Sequence, residues 1–149
     1  MAYRRLGAMA LALALMAGLA APSQAAAQTI DLIVAVDNLR SAQGQVRIAL
    51  WLGPDGFTEA DAAIVTAAKP AEDGRVYFRF EGLPTGHYAI ATYHDENDNN
   101  RFDRTWLGFP DEGLGFSNGA WIELGPPAFE AAAVEVTPQP KVIFVSLRY

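Results

Sequence analysis

Three segments of this chain place larger, mostly apolar residues at every second position, and that pattern limits the fold more than anything else in it. In Gln45 to Trp51, Val46, Ile48 and Leu50 fall on one side and Arg47, Ala49 and Trp51 on the other. Arg75 to Phe80 sets Val76, Phe78 and Phe80 against Arg75, Tyr77 and Arg79, and His87 to Tyr93 sets Tyr88, Ile90 and Thr92 against His87, Ala89, Ala91 and Tyr93. A period of two is that of a strand with one face buried. A slip of one residue would turn each apolar row towards water, so pairing is strongly specified. The apolar runs Ile30 to Val36, Ala131 to Val136 and Val142 to Leu147 add further strands. Turn chemistry separates them: Asp37 to Gly44, Glu72-Asp73-Gly74, Leu83-Pro84-Thr85-Gly86 and Thr137-Pro138-Gln139-Pro140.

Short strands at this spacing predict an all-β fold, an antiparallel β-sandwich with one long irregular loop. The first two runs read as a hairpin whose turn ends at Gly44, a residue able to take positive φ. Phe57 to Ala68 is Ala-rich and ambiguous between a short helix and a loop, and residues 104–120 look irregular. The expected inward set is Val46, Ile48, Leu50, Val76, Phe78, Phe80, Tyr88, Ile90, Ile143 and Val145.

The first residues read as an export signal. Arg4 and Arg5 form a basic start, Leu6 to Ala21 an apolar run, and Ser23 to Ala27 a small-residue segment best cut after Ala27. The run is too short and Ala-rich for a comfortable membrane span, which needs about 20 strongly apolar residues. Arg4-Arg5 also permits twin-arginine export, which the flanking residues hardly support. The expectation is a signal peptide, 1–27, and a single domain, 28–149, in the periplasm or outside the cell. Without Arg4 and Arg5, 9 basic residues face 17 acidic ones, a formal charge of −8. That acidity argues against nucleic acid or an anionic membrane as partner and favours cations. The absence of cysteine excludes disulfides and thiolate sites.

One stretch concentrates the chemistry: His94-Asp95-Glu96-Asn97-Asp98-Asn99-Asn100-Arg101-Phe102-Asp103. Asp95, Asn97, Asn99 and Asp103 place side-chain oxygens in the pattern of a calcium loop, with the carbonyl of Arg101 as a further ligand. The bidentate glutamate is missing, since its position falls on Trp106; Glu112 could fold back to replace it. Few formal charges imply a weak site, with a dissociation constant on the order of 10⁻⁴–10⁻³ M. An Asx-rich turn that caps its own backbone is the competing reading. Both order the loop, and only one makes it depend on Ca²⁺.

Other features bear on function. His94, beside Asp95 and Glu96, is the one candidate for acid–base work, as in a small exported hydrolase; a histidine alone more often pins a neighbouring loop. Gly115-Phe116-Ser117-Asn118-Gly119 matches a nucleophile elbow, but both histidines precede Ser117 and no βαβ unit surrounds it. Ser117 and Asn118 are better read as satisfying backbone groups. Trp51, Trp106, Phe109, Phe116 and Trp121 suit either an aromatic ledge for a sugar or peptide or, more in keeping with solubility, the filling of one sandwich end.

The combination of Gly82-Leu83-Pro84-Thr85-Gly86-His87-Tyr88-Ala89 with His94-Asp95-Glu96-Asn97 resembles the bacterial exported domain-of-unknown-function family 2141. The likeness takes in Gly44 to Leu50, His94 to Asp103, Leu107 to Pro110, Gly113 to Asn118 and Gly125 to Ala132. It implies an exported protein with an Ig-like or transthyretin-like sandwich and no established activity. The chain departs from the family's loop at Asp98 and Asn100, where glycine is common; Asp and Asn also tolerate left-handed backbone. The leading expectation is a non-enzymatic exported module in which the loop from Asp95 to Asn118 forms an edge facing a ligand or partner, protein or carbohydrate. The hydrolase and a structural accessory of an envelope assembly, binding by strand addition, are the alternatives.

Overall fold

The alternating segments become strands in the computed structural model, which describes residues 29–149; the expected signal segment lies outside the described residues. The order is β1 (Thr29–Leu39), β2 (Gln45–Leu52), β3 (Val65–Pro70), β4 (Gly74–Pro84), β5 (Gly86–Asp95), β6 (Leu114–Phe116), the one-turn helix α1 (Phe129–Ala132), β7 (Val134–Val136) and β8 (Val142–Ser146). One sheet has the order β4-β1-β8. The other has the order β3-β2-β5-β6, with β7 sharing the β6 edge of β5. The two mostly antiparallel sheets pack face to face as a sandwich and do not close into a barrel.

All ten residues expected to point inward are buried between the sheets, joined by Leu32, Val34 and Val36 of β1. The strand pairing is less local than expected. Instead of forming a hairpin with β2, β1 pairs antiparallel with β4, Val34 opposite Phe78, and parallel with β8, Val34 opposite Ile143. The chain crosses to the other sheet at Gly44. Its φ is +69°, and it packs so closely on the end of β5 that a Cβ there would run into the carbonyl oxygen of Asp95. The β1–β8 pair is also the exception to antiparallel order. Three further segments differ from expectation: the stretch 104–120, expected to be irregular, contributes strand β6 at Leu114–Phe116. The stretch 57–68 holds a short 3₁₀ turn at Ala60–Ala62 and then enters edge strand β3, and the segment from Ala131 begins inside α1 and is strand only from Val134.

Part of the outer face of the five-stranded sheet is covered. Ala89, Leu114, Phe116, Phe129 and Ala132 form a second buried cluster with Phe57, Trp121 and Ile122 packed on it. Phe57 stands edge-on to Trp51 at 5.4 Å and to Phe129 at 5.7 Å, a favourable aromatic geometry. Trp51 and Phe116 thus fill space as expected. Trp106 and Phe109 do not: they are 91% and 65% exposed at the tip of the long loop, where the turn Thr105–Gly108 is held by its own backbone bonds.

Candidate functional site

The acidic loop begins where β5 ends, and its order comes from its own side chains. Asp95 is fully buried; its Oδ1 accepts the Asn99 N–H at 3.0 Å and its Oδ2 the Asn100 N–H at 2.9 Å. Asn97 Oδ1 accepts the Asn99 N–H at 3.1 Å, and Asn99 Oδ1 the Arg101 N–H at 2.8 Å. The last two, each reaching the residue two on, are Asx turns. The backbone is left-handed at Asp98 and Asn100, with φ of 57° and 62°, a conformation that Asp and Asn tolerate. Of the expected ligands, Asn97, Asn99 and Asp103 come together: both amide nitrogens donate to Asp103 Oδ2 at 2.7 Å. The Asp95 carboxylate is spent instead on the Asn99 and Asn100 backbone, and Arg101 joins through its N–H. Among the described residues, no three His, Asp or Glu side chains are grouped to hold a metal.

Glu112 does fold back onto the loop, where its two oxygens accept the Glu96 N–H at 3.1 Å and the Asp103 N–H at 3.0 Å. Burial holds its carboxyl above the usual range, against the lowering effect of those two donors. Glu96 shifts the other way. The Arg40 guanidinium, with Nε 2.9 Å from Oε2, holds it below the usual range, helped by the Ser41 hydroxyl at 3.0 Å.

His94 is fully enclosed. Its Nε2 lies 2.6 Å from the Gln43 carbonyl and its Nδ1 2.8 Å from the Tyr149 hydroxyl, which also accepts the Arg40 N–H at 3.1 Å. A carbonyl only accepts, so Nε2 carries the proton and the tyrosine donates to Nδ1. Both ring nitrogens are committed to pinning the Gln43 turn and Tyr149. Ser117 is likewise occupied. Its Oγ accepts the Ile90 N–H at 2.9 Å and donates to the Ala132 carbonyl, while Asn118 Nδ2 donates to the Ala131 carbonyl at 2.9 Å.

The feature that sequence reasoning missed is a groove of about 680 Å³ across the outer face of β3, β2 and β5. Small side chains, Thr66, Ala68, Ala49 and Ala91, make its floor. The long loop builds one wall: Asn100 bonds to Arg47, Phe102 stands edge-on to Tyr93 at 5.7 Å, and the Arg104 guanidinium rests on the Phe102 ring at 5.3 Å. Burial raises the Tyr93 hydroxyl above its ordinary range, only partly offset by nearby Arg47. The one available signal was that the outward positions of adjacent strands, Ala49 and Ala91, are small where a solvated face would carry polar residues.

The profile of a family described as uncharacterized protein conserved in bacteria (DUF2141) matches residues 34–143, well over half of the chain. No curated protein and no solved structure matches it.

Proposed function

The chain belongs to the DUF2141 family of uncharacterized proteins conserved in bacteria, and on that footing we propose that it is an exported, non-enzymatic ligand-binding module whose long loop walls a groove on the five-stranded sheet. The groove itself carries this reading. It has the volume of a small-molecule site, an apolar lining and a few convergent polar groups. The hydrolase alternative finds less support, since a general base must reach its substrate while His94 is enclosed with both nitrogens engaged.

The loop that makes the wall is also our candidate for a weak Ca²⁺ site. The side chains of Asn97, Asn99 and Asp103 lie together, each with an oxygen of the kind a hard cation takes, and both amides would have to turn their oxygens in place of the nitrogens that now donate to Asp103. These three would hold the ion, and its effect would be to stiffen the wall.

A fragment screen followed by amide chemical shifts tests the groove. Fragments that bind should move the resonances of Ala49, Ala68, Ala91 and Tyr93 as one cluster. Shifts centred elsewhere, or scattered over the surface, would remove the basis for a binding module built on this face.

A further inference from the structure

We propose that the groove takes a monoanionic organic acid with an apolar body, a medium-chain carboxylate; the inference rests on the ligand-binding reading above. The groove is polarised along its length. β2 presents Arg47, Ala49 and Trp51 in succession on the outer face, with Tyr93 opposite Arg47 and Ala91 opposite Ala49. Phe116 lies next to Ala91 on the other side. One end is therefore polar, with Arg47, Tyr93, Asn100 and Arg104, and the other apolar, with Trp51, Phe116 and Ile122. Four residues of strand separate the two ends by about 13 Å. The alanine floor between them leaves room for an extended apolar chain.

Charge selects the head group. Arg47 and Arg104 are the charged side chains of the lining, and among the described residues no Asp or Glu joins them, in a chain with 17 acidic and 11 basic residues. A cationic end in an otherwise acidic protein draws anions. The two arginines are not equivalent. Arg47 lies 4.0 Å from Asp95 Oδ2 and bonds Asn100, so its charge is partly answered within the protein. Arg104 takes part in none of the ion pairs among the described residues. About one positive charge is left over, which matches a carboxylate rather than a dianionic phosphate.

The test is calorimetric titration of the mature protein with decanoate, decanol, decylamine and decyl phosphate, equal in chain length and different in head. Decanoate should bind about tenfold more tightly than decanol, the scale of one charge-assisted contact; decylamine should not bind, and decyl phosphate should not exceed decanoate. Arg104→Gln should bring decanoate down to the level of decanol and leave decanol unchanged. Ala49→Ile, which fills the floor, should weaken both; Ala68→Val at the edge strand serves if the first variant does not fold. Equal binding of decanoate and decanol, with Arg104→Gln silent, would overturn the acid while leaving the groove. Tighter decyl phosphate would move the ligand class to phosphates. Binding that ignores both floor variants would place the ligand outside the groove and remove the binding-module reading as well. Failure of all four compounds to bind refutes the carboxylate ligand.

Discussion

The hydroxyl of Tyr149 reaches Nδ1 of His94, 2.8 Å away, and ties the end of β8's trailing segment to the end of β5. Tyr149→Phe removes this partner from a buried acceptor and leaves the ring's packing alone. Urea unfolding should show a loss of about 1–3 kcal/mol, the cost of a buried polar atom without a bond. A loss under about 0.5 kcal/mol, typical of neutral surface changes, would mean that water replaces the phenol.

Gly44→Ala and Gly53→Ala separate two effects. Both glycines have positive φ, +69° and +86°, but a Cβ at Gly53 meets nothing within 4 Å, whereas one at Gly44 runs into the Asp95 carbonyl. The Gly53 variant should lose roughly 1–2 kcal/mol from backbone conformation alone. The Gly44 variant should lose clearly more, and equal losses would contradict the close packing of the crossover on β5.

Glu96 gives the stability a pH dependence of known sign. Its carboxyl is held below the usual range in the folded protein, so its contribution is complete above the unfolded value, about 4.3, and is lost as pH falls through the folded value. Glu96→Gln should therefore melt lower than wild type at pH 7, with the gap closing below pH 4.3 or so. A gap that stays constant down to pH 3 would show that the Arg40 pair contributes through packing and not through charge.

Calcium should raise the melting temperature of the mature protein more than sodium at equal ionic strength. Near 100 times the dissociation constant the gain is about 2.7 kcal/mol. Asp103→Asn deletes one charge at the convergence point and should abolish the calcium effect without unfolding the domain. If the two salts act alike on wild type, the loop is a self-capped turn and nothing more.

Export makes its own prediction. Intact mass of material recovered outside the cytoplasm should correspond to a chain beginning at Gln28. Recovery of exported protein still carrying Met1 to Ala27 would contradict the cleavage site.

What the sequence made legible follows the range of the interactions involved. Inward residues such as Ile48, Phe78 and Ile90 could be named because alternation is written into each strand by itself. The Asx turns of Asn97 and Asn99, and the bonds from Asp95 to the same loop, were legible for the same reason, their partners lying two to five residues away. Pairing was not. Nothing near Val34 announces Ile143, and chain adjacency favoured a β1–β2 hairpin where β1 in fact pairs with β4 and β8, and β2 with β3 and β5. Strand β3 was hidden because it is an edge, mostly exposed and rich in alanine, so burial left little pattern in it. The groove depends on register: only once Arg47 stands opposite Tyr93, with Phe102 and Arg104 brought over them by the loop, do outward side chains become a site.

The position of β1 between β4 and β8 also governs the order of folding. Asn38 at the end of β1 bonds through Nδ2 to the carbonyl of Leu147, 109 residues later, so the three-stranded sheet cannot close until nearly all of the described chain is present. Closing so long a loop is entropically costly and slow compared with local contacts. Until then the Val34-Ala35-Val36 run, fully buried at the end, keeps one edge open. A chain built this way commits to its three-stranded sheet only after its late strand has arrived.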